Sequence, residues 1–253
     1  MKFSYTAAWQ EALAILRAHG STIAAVAGVF LFLPALLIGH LLPRPEAQDM
    51  GRLIELMREY GARNWPWLLL EGLVNMVGIL AILRLAFPRG NPTVGGVIAA
   101  AASLVPFYFL ANLLSSLMIG IGLVLLIVPG LYLIGRLAPV GPIIVAEERR
   151  NPIDAIRRSF ALTRGNGFAI AGLVIVVVIA AAIAMGAANA ILGIVFMLVA
   201  GEDLGRFLVL VLSSATGAVF AALLTLLYAG IYRRLTAAES AAAAGPAPGP
   251  PAD

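Results

Sequence analysis

The 253-residue chain has no cysteine, two histidines and a single lysine, Lys2. The absence of cysteine excludes disulfides, thiolate metal sites and thiol nucleophiles. His19 and His40, the two imidazoles, stand in no metal-ligand spacing, so neither a zinc site nor any other metal or cofactor is expected. No serine sits in a nucleophile elbow and neither histidine in a triad pattern. Gly95-Gly96 and Gly120-Ile121-Gly122 are isolated and do not make a phosphate-binding loop. With these searches empty, the sequence does not point to an enzyme.

Apolar length is what the chain has in quantity. Its hydrophobic fraction is 61% and its mean hydropathy +0.98, beyond the roughly 45–50% apolar usage of soluble domains. A hydrocarbon layer of about 30 Å needs about 20 helical residues, and six stretches reach or approach that length, near 21–42, 66–87, 105–128, 131–147, 167–187 and 207–232. In lipid the backbone must satisfy its own hydrogen bonds, so the fold expected is all-α, a polytopic bundle of about six transmembrane helices. Residues 1–237 form one membrane domain, and 238–253, rich in Ala and Pro, a disordered tail. Gln10, Glu11 and Arg17 interrupt any apolar core of a secretory signal, so the N-terminus is expected to be retained.

The fourth span is short and holds Pro139 and Pro142, which predicts a kink or incomplete crossing. Apolar sequence runs past the fifth span to Ala200, near 50 Å as one helix. Tilt, a break or emergence is therefore expected, with Gly186 the favoured place.

The net charge of +4 comes from arginines dispersed between spans, which fits membrane orientation and not nucleic acid. With the N-terminus inside, the inner side collects Lys2, Arg17, Arg84, Arg89, Arg149, Arg150, Arg157, Arg158, Arg164, Arg233 and Arg234. The outer side keeps Arg44, Arg52, Arg58, Arg63 and Arg206. The bias predicts N-in, C-in topology, although the first outer loop, with four of those five arginines, runs against it.

Asn91-Pro92 and Asn151-Pro152 each match an N-cap followed by Pro at the first helical position. The segment from Ala14 to Ala24 also resembles Ala161 to Ala171, with Arg17 on Arg164 and Gly20 on Gly167. Three copies of one plan are read, an inner-surface amphipathic helix leading into a two-span hairpin. The first presents Tyr5, Trp9, Leu13 and Leu16; the second, Thr93 to Leu104, is nearly uncharged and suits packing into protein. The third carries Ile153, Ile156 and Phe160 at helical spacing, with Asp154 one turn from Arg158. Its Arg149, Arg150, Arg157, Arg158 and Arg164 are candidates for anionic headgroups. The alternative is that these are only the polar beginnings of long helices. A further interfacial helix is expected around Gly51 to Tyr60.

Four intramembrane polar residues stand out: Glu71, Asn75, Asn112 and Arg136. Glu71 and Arg136 lie at similar depth, and an ion pair between them would reduce the cost of each in lipid. Asn112, Ser115 and Ser116 make a polar stripe on the third span, suited either to interhelical hydrogen bonds or to a cavity wall. Ser213, Gly217 and Ala221, like Gly186 and Ala190, have small-xxx-small spacing that permits close helix contact within or between protomers.

The block from Leu126 to Asn166 reads LIVPGLYLIGRLAPVGPIIVAEERRNPIDAIRRSFALTRGN. Its Pro129-Gly130 with Tyr132, Arg136, Pro142, Glu147, Ala155 to Ser159 and Leu162 to Gly165 resemble the membrane domain associated with bacterial glycerophosphoryl diester phosphodiesterases. The resemblance implies a multi-pass module of the bacterial inner membrane, with Pro129-Gly130 turning at the outer boundary. It does not imply catalysis: the chain has no room for the soluble catalytic barrel and no His-Arg-Gly motif.

Three functions follow. The first is a non-catalytic membrane module, associated with lipid or organising partner proteins or further copies of itself, with tightly packed spans. The second is a small-solute or lipid transporter or channel, in which Glu71, Asn75 and Arg136 border a cavity. The third is a membrane-embedded lipid enzyme using Glu147 or Glu148 with Asp154.

Overall fold

The computed structural model describes residues 3–43, 45, 49–88 and 93–243. Among them the fold is all-α, and six helical stretches are long and apolar enough to cross a membrane. Lys2, Arg44, Arg89 and Asn91-Pro92 lie outside the described residues.

The first stretch is α1 (Tyr5–Ala27), a π-helical turn over Gly28–Phe32 and α2 (Leu33–Leu41). Ser4 Oγ caps α1 by accepting the Ala7 N–H. His19 leaves helical geometry at φ −130° and separates the N-terminal surface segment from the span. The π turn precedes Pro34, whose missing N–H breaks the regular ladder there.

α3 (Met50–Ala86) starts on Asp49, whose Oδ1 accepts the Arg52 N–H at 2.9 Å. The expected outer helix at Gly51 to Tyr60 is thus the beginning of α3, and the Tyr60 hydroxyl ties it to α2 by donating to the Leu42 carbonyl at 2.9 Å. α4 (Val94–Leu125) is capped by Thr93 and is continuous with its span. Its first turns bury Val97, Ala101 and Leu104, as the nearly uncharged second copy predicts.

The turn into α5 (Ile127–Leu137) lies at Leu126, not at Pro129-Gly130. Pro129 is the third residue of α5, where its missing donor removes one of the unpaired N–H groups of a helix start. Pro139 then breaks the fourth stretch before α6 (Val140–Ala146), so the expected kink is present. α7 (Pro152–Leu162) opens as the Asn151-Pro152 pattern predicts, with Asn151 Oδ1 accepting the Ile153 N–H at 3.0 Å.

α8 (Gly167–Ala200) is one unbroken helix of 34 residues. No break occurs at Gly186; a Cβ there would meet nothing within 4 Å. Gly201, at φ +80°, ends α8, and Glu202 and Asp203 open α9 (Glu202–Ala243), where carboxylates favour the N-terminal end of a helix dipole. α9 continues through residues 238–243, so this part of the expected disordered tail is helical; residues 244–253 lie outside the described residues.

The first turns of α1 and the last turns of α9 lie on one face: Arg233 of α9 reaches Glu11 on α1 at 3.6 Å. We call this the terminal face. The core is concentrated beside it. In α3 the buried residues run from Gly78 to Ala86, and in α8 from Gly167 to Val174. Towards the opposite face the outward side of α8 is exposed at Ile183, Ile191, Leu198 and Val199, while α8 stays packed on α9, where a Cβ on Gly205 would come within 2.8 Å of Met197 Cα.

Packing near the terminal face depends on missing side chains, because lipid supplies no hydrophobic drive between helices and close backbone approach must replace it. A Cβ on Gly230 of α9 would come within 2.4 Å of the Ala8 carbonyl oxygen, and one on Gly135 of α5 within 2.0 Å of the Gly167 carbonyl oxygen. Gly167 is packed against Tyr132 and Arg136, whereas its repeat counterpart Gly20 faces open space. Of the three expected surface helices, the third stands alone as α7, whereas the first runs into its span through the His19 kink and the second is the beginning of α4.

Candidate functional site: a membrane cleft, an inner cavity and a charged clamp

Where α2, α3 and α9 separate, they leave a cleft of about 1050 Å³. Its wall on α9 is built from Ser213, Ser214, Gly217, Ala218 and Ala221, residues too small to fill the space. The small-residue series, whose spacing permits close helix contact, borders open space here: a Cβ on Gly217 would meet nothing within 4 Å. Asn75 and Ile79 of α3 face the same space, and the Asn75 Oδ1 is buried without a hydrogen-bond partner.

The rim is polar. His40 stands edge-on to Phe207, with ring centroids 5.9 Å apart, and Asp203 and Arg206 complete it from α9. Arg206 also meets Glu202 one helical turn away, a pair exposed on both sides. Such a pair contributes roughly 0–1 kcal/mol, so the guanidinium can turn to a stronger anion.

A second cavity of about 330 Å³ lies between α3, α4, the α5–α6 pair and α9. Asn112, Ser115 and Ser116 line it, so the polar stripe of the third span borders a cavity. Ile79 and Ala221 line both spaces and stand between them.

Arg136 takes another role than pairing with Glu71. α5 packs on α4, α7 and α8, and the Arg136 guanidinium donates to the Phe160 carbonyl of α7 at 2.6 Å. It lies over the Tyr132 and Phe160 rings, 5.5 and 4.9 Å from their centroids, a cation–π setting that tempers the desolvation of a buried charge. Ser159, fully buried, donates its hydroxyl to the Arg136 carbonyl at 2.6 Å. Glu71 is half-buried on α3, one turn from Asn75, and neither Glu71 nor Arg136 lines the two cavities.

The five headgroup candidates divide. Arg158 does not pair with Asp154; it reaches Glu239 of α9 through two bonds of 2.7 and 2.5 Å and Glu147 at 3.1 Å. Glu239, followed by Glu147, holds the Arg158 guanidinium above its ordinary range against the opposing effect of burial. Arg149 bonds Glu147 at 2.6 Å, and Tyr232 donates to the same carboxylate at 3.3 Å. Arg150, Arg157 and Arg164 are exposed and, among the described residues, have no carboxylate partner. The buried face of α7 is Ala155, Ile156, Ser159 and Leu162, while Ile153 of the expected stripe is half exposed.

Nearby, Arg84 meets Glu148 at 3.0 Å, and Arg233 donates to the Ala86 carbonyl. These contacts clamp α3, α7 and α9 at the terminal face. Sequence reading missed the clamp because Glu239 falls in the assigned tail; its position seven residues after Tyr232, on the same helix face, was the available signal.

Arg158→Glu sets three carboxylates together and should release the end of α9 from α7. The expected cost is on the order of 1–2 kcal/mol, between exposed pairs and the breaking of buried ones. Hydrogen exchange over residues 236–243 reads it: faster exchange, partly reversed by adding Glu239→Arg, is expected, and unchanged exchange would remove the clamp.

Comparison of the chain with protein-family models, curated proteins and solved structures gives no match. The functional reading therefore rests on the cleft, the cavity and the clamp themselves.

Proposed function

We propose that the protein is a non-catalytic membrane module that holds one zwitterionic phospholipid in the cleft between α2, α3 and α9. The cleft itself carries the reading. Its walls are largely apolar and suit acyl chains, while its rim places one carboxylate, Asp203, and one guanidinium, Arg206, within the same opening. A zwitterionic headgroup answers both: phosphate towards Arg206 and His40, ammonium towards Asp203. An anionic lipid would leave the acid unanswered.

The terminal face is assigned to the cytoplasm by its arginine excess. There Arg150, Arg157 and Arg164 engage anionic headgroups, each contributing about 1 kcal/mol. The resemblance of the Leu126 to Asn166 block to a phosphodiesterase-associated membrane domain fits a module of the bacterial cytoplasmic membrane. Glu147, the best placed acid for lipid chemistry, is occupied by Arg149, Arg158 and Tyr232, which favours a structural role for it.

A second reading, transport, is favoured by one observation: the cleft and inner cavity share Ile79 and Ala221. Of its three sequence-derived residues, Asn75 borders the cleft.

Native mass spectrometry of protein released from nanodiscs of mixed phosphatidylethanolamine and phosphatidylglycerol tests the main reading. One retained phosphatidylethanolamine per chain is expected, with a separate phosphatidylglycerol population that Arg150→Gln, Arg157→Gln and Arg164→Gln together reduce. Release of the chain without phosphatidylethanolamine would refute the cleft assignment.

A further inference from the structure

The inner cavity differs in chemistry from the cleft above it. Tyr108, Asn112, Ser115, Ser116, Thr225 and Tyr228 bring hydroxyl and amide groups to one space, and no carboxylate, guanidinium or imidazole borders it. The Ser115 hydroxyl is buried, at 7% exposure, and finds no partner in the protein. The Thr225 hydroxyl donates to the Ala221 carbonyl at 2.7 Å, so its remaining capacity towards the cavity is to accept.

Burying an unanswered hydroxyl costs free energy, and in a membrane interior no bulk water is at hand to answer it. A cavity with donors and acceptors but no counter-charge suits a neutral ligand. An ion placed there would lose its hydration with nothing of opposite sign in return. The volume, equal to about eleven waters at about 30 Å³ each, admits a short polyol.

We propose that this inner cavity, which opens to the surrounding membrane where Asn112 and Ser116 are exposed, is a binding site for an uncharged, hydroxyl-rich group. Asn112 offers both a donor and an acceptor, Ser115 a hydroxyl that lacks any other partner, and the two tyrosines a pair of phenols. A free polyol and the polyol head of a neutral lipid present the same hydrogen-bonding chemistry to these groups. The site does not depend on the zwitterionic lipid of the cleft.

The test uses the full chain in nanodiscs with two radiolabelled probes, free glycerol and a monoacylglycerol. Saturable retention of glycerol, at least tenfold weaker in Asn112→Leu and in Ser115→Ala, identifies a free polyol as the ligand. Retention of monoacylglycerol alone, with the same loss in both variants, identifies a lipid head. Asn75→Leu, in the cleft, should leave either retention unchanged, and melting temperatures of all variants report folding. The proposal is overturned if neither probe is retained, if both cavity variants retain wild-type binding, or if glycerol 3-phosphate competes as well as glycerol.

Discussion

Gly135→Val should unfold the bundle more readily than any other single change to a glycine in its spans. A Cβ at this position would lie 2.0 Å from the Gly167 carbonyl oxygen and 2.5 Å from the Ala171 nitrogen, both backbone atoms of α8 that cannot rotate aside. Helices α5 and α8 must then move apart. That motion also disturbs the Arg136 side chain, whose Cδ packs on Gly167 and whose guanidinium bonds α7. Overpacking of this kind costs about 3 kcal/mol, at the upper end of its usual range. At about 2–4 °C per kcal/mol for a chain of this size, the melting temperature in detergent should fall by roughly 6–12 °C. Gly186→Val is the control. A Cβ there meets open space, and valine is a better helix former than glycine by a few tenths of a kcal/mol, so its melting temperature should hold or rise slightly. Equal melting of the two variants would show that the α5–α8 approach is not where the bundle is held.

Gly217→Phe should abolish lipid retention while leaving the fold in place. Nothing lies within 4 Å of a Cβ at Gly217, and the position faces the cleft, so the ring enters space that the proposed acyl chains occupy. An aromatic side chain buries about 150–250 Å², enough to compete with a chain segment for the same wall. Retained phosphatidylethanolamine should fall at least tenfold in native mass spectra, with the melting temperature unchanged or higher. Undiminished retention would place the lipid elsewhere. Loss of retention together with a large fall in melting temperature would instead mean that the position is packed, contrary to the open space found there.

The six spans were legible because bilayer thickness imposes a length that apolar runs such as Val94–Leu125 and Gly167–Ala200 meet without help from tertiary contacts. Local rules also carried the Asn151-Pro152 helix start and the Pro139 kink. What was not legible depends on which helices meet. Gly186 and Gly217 lie in small-residue patterns as suggestive as any, yet the decisive approaches are Gly135 to Gly167 and Gly230 to Ala8, whose partners are distant in sequence. Arg136 and Glu71 share a depth, but depth does not set azimuth, and Arg136 faces α7. Arg158 had Asp154 at helical spacing and took Glu239 instead, 81 residues away, with two bonds. Of the four intramembrane polar candidates, Asn75 and Asn112 border the cavities. The cleft itself was written in the sequence as a shortage of volume along Ser213, Gly217 and Ala221, and the same shortage serves equally well for helix contact.

The natural absence of cysteine makes a single introduced thiol a unique reporter. A bimane attached to Ser213→Cys, on the cleft wall, tests most directly whether that space belongs to lipid. Quenching by brominated acyl chains in the surrounding bilayer, with little quenching by aqueous iodide, is the result expected. Strong iodide quenching without a brominated-lipid effect would make the cleft a water-filled vestibule and contradict the lipid-holding module.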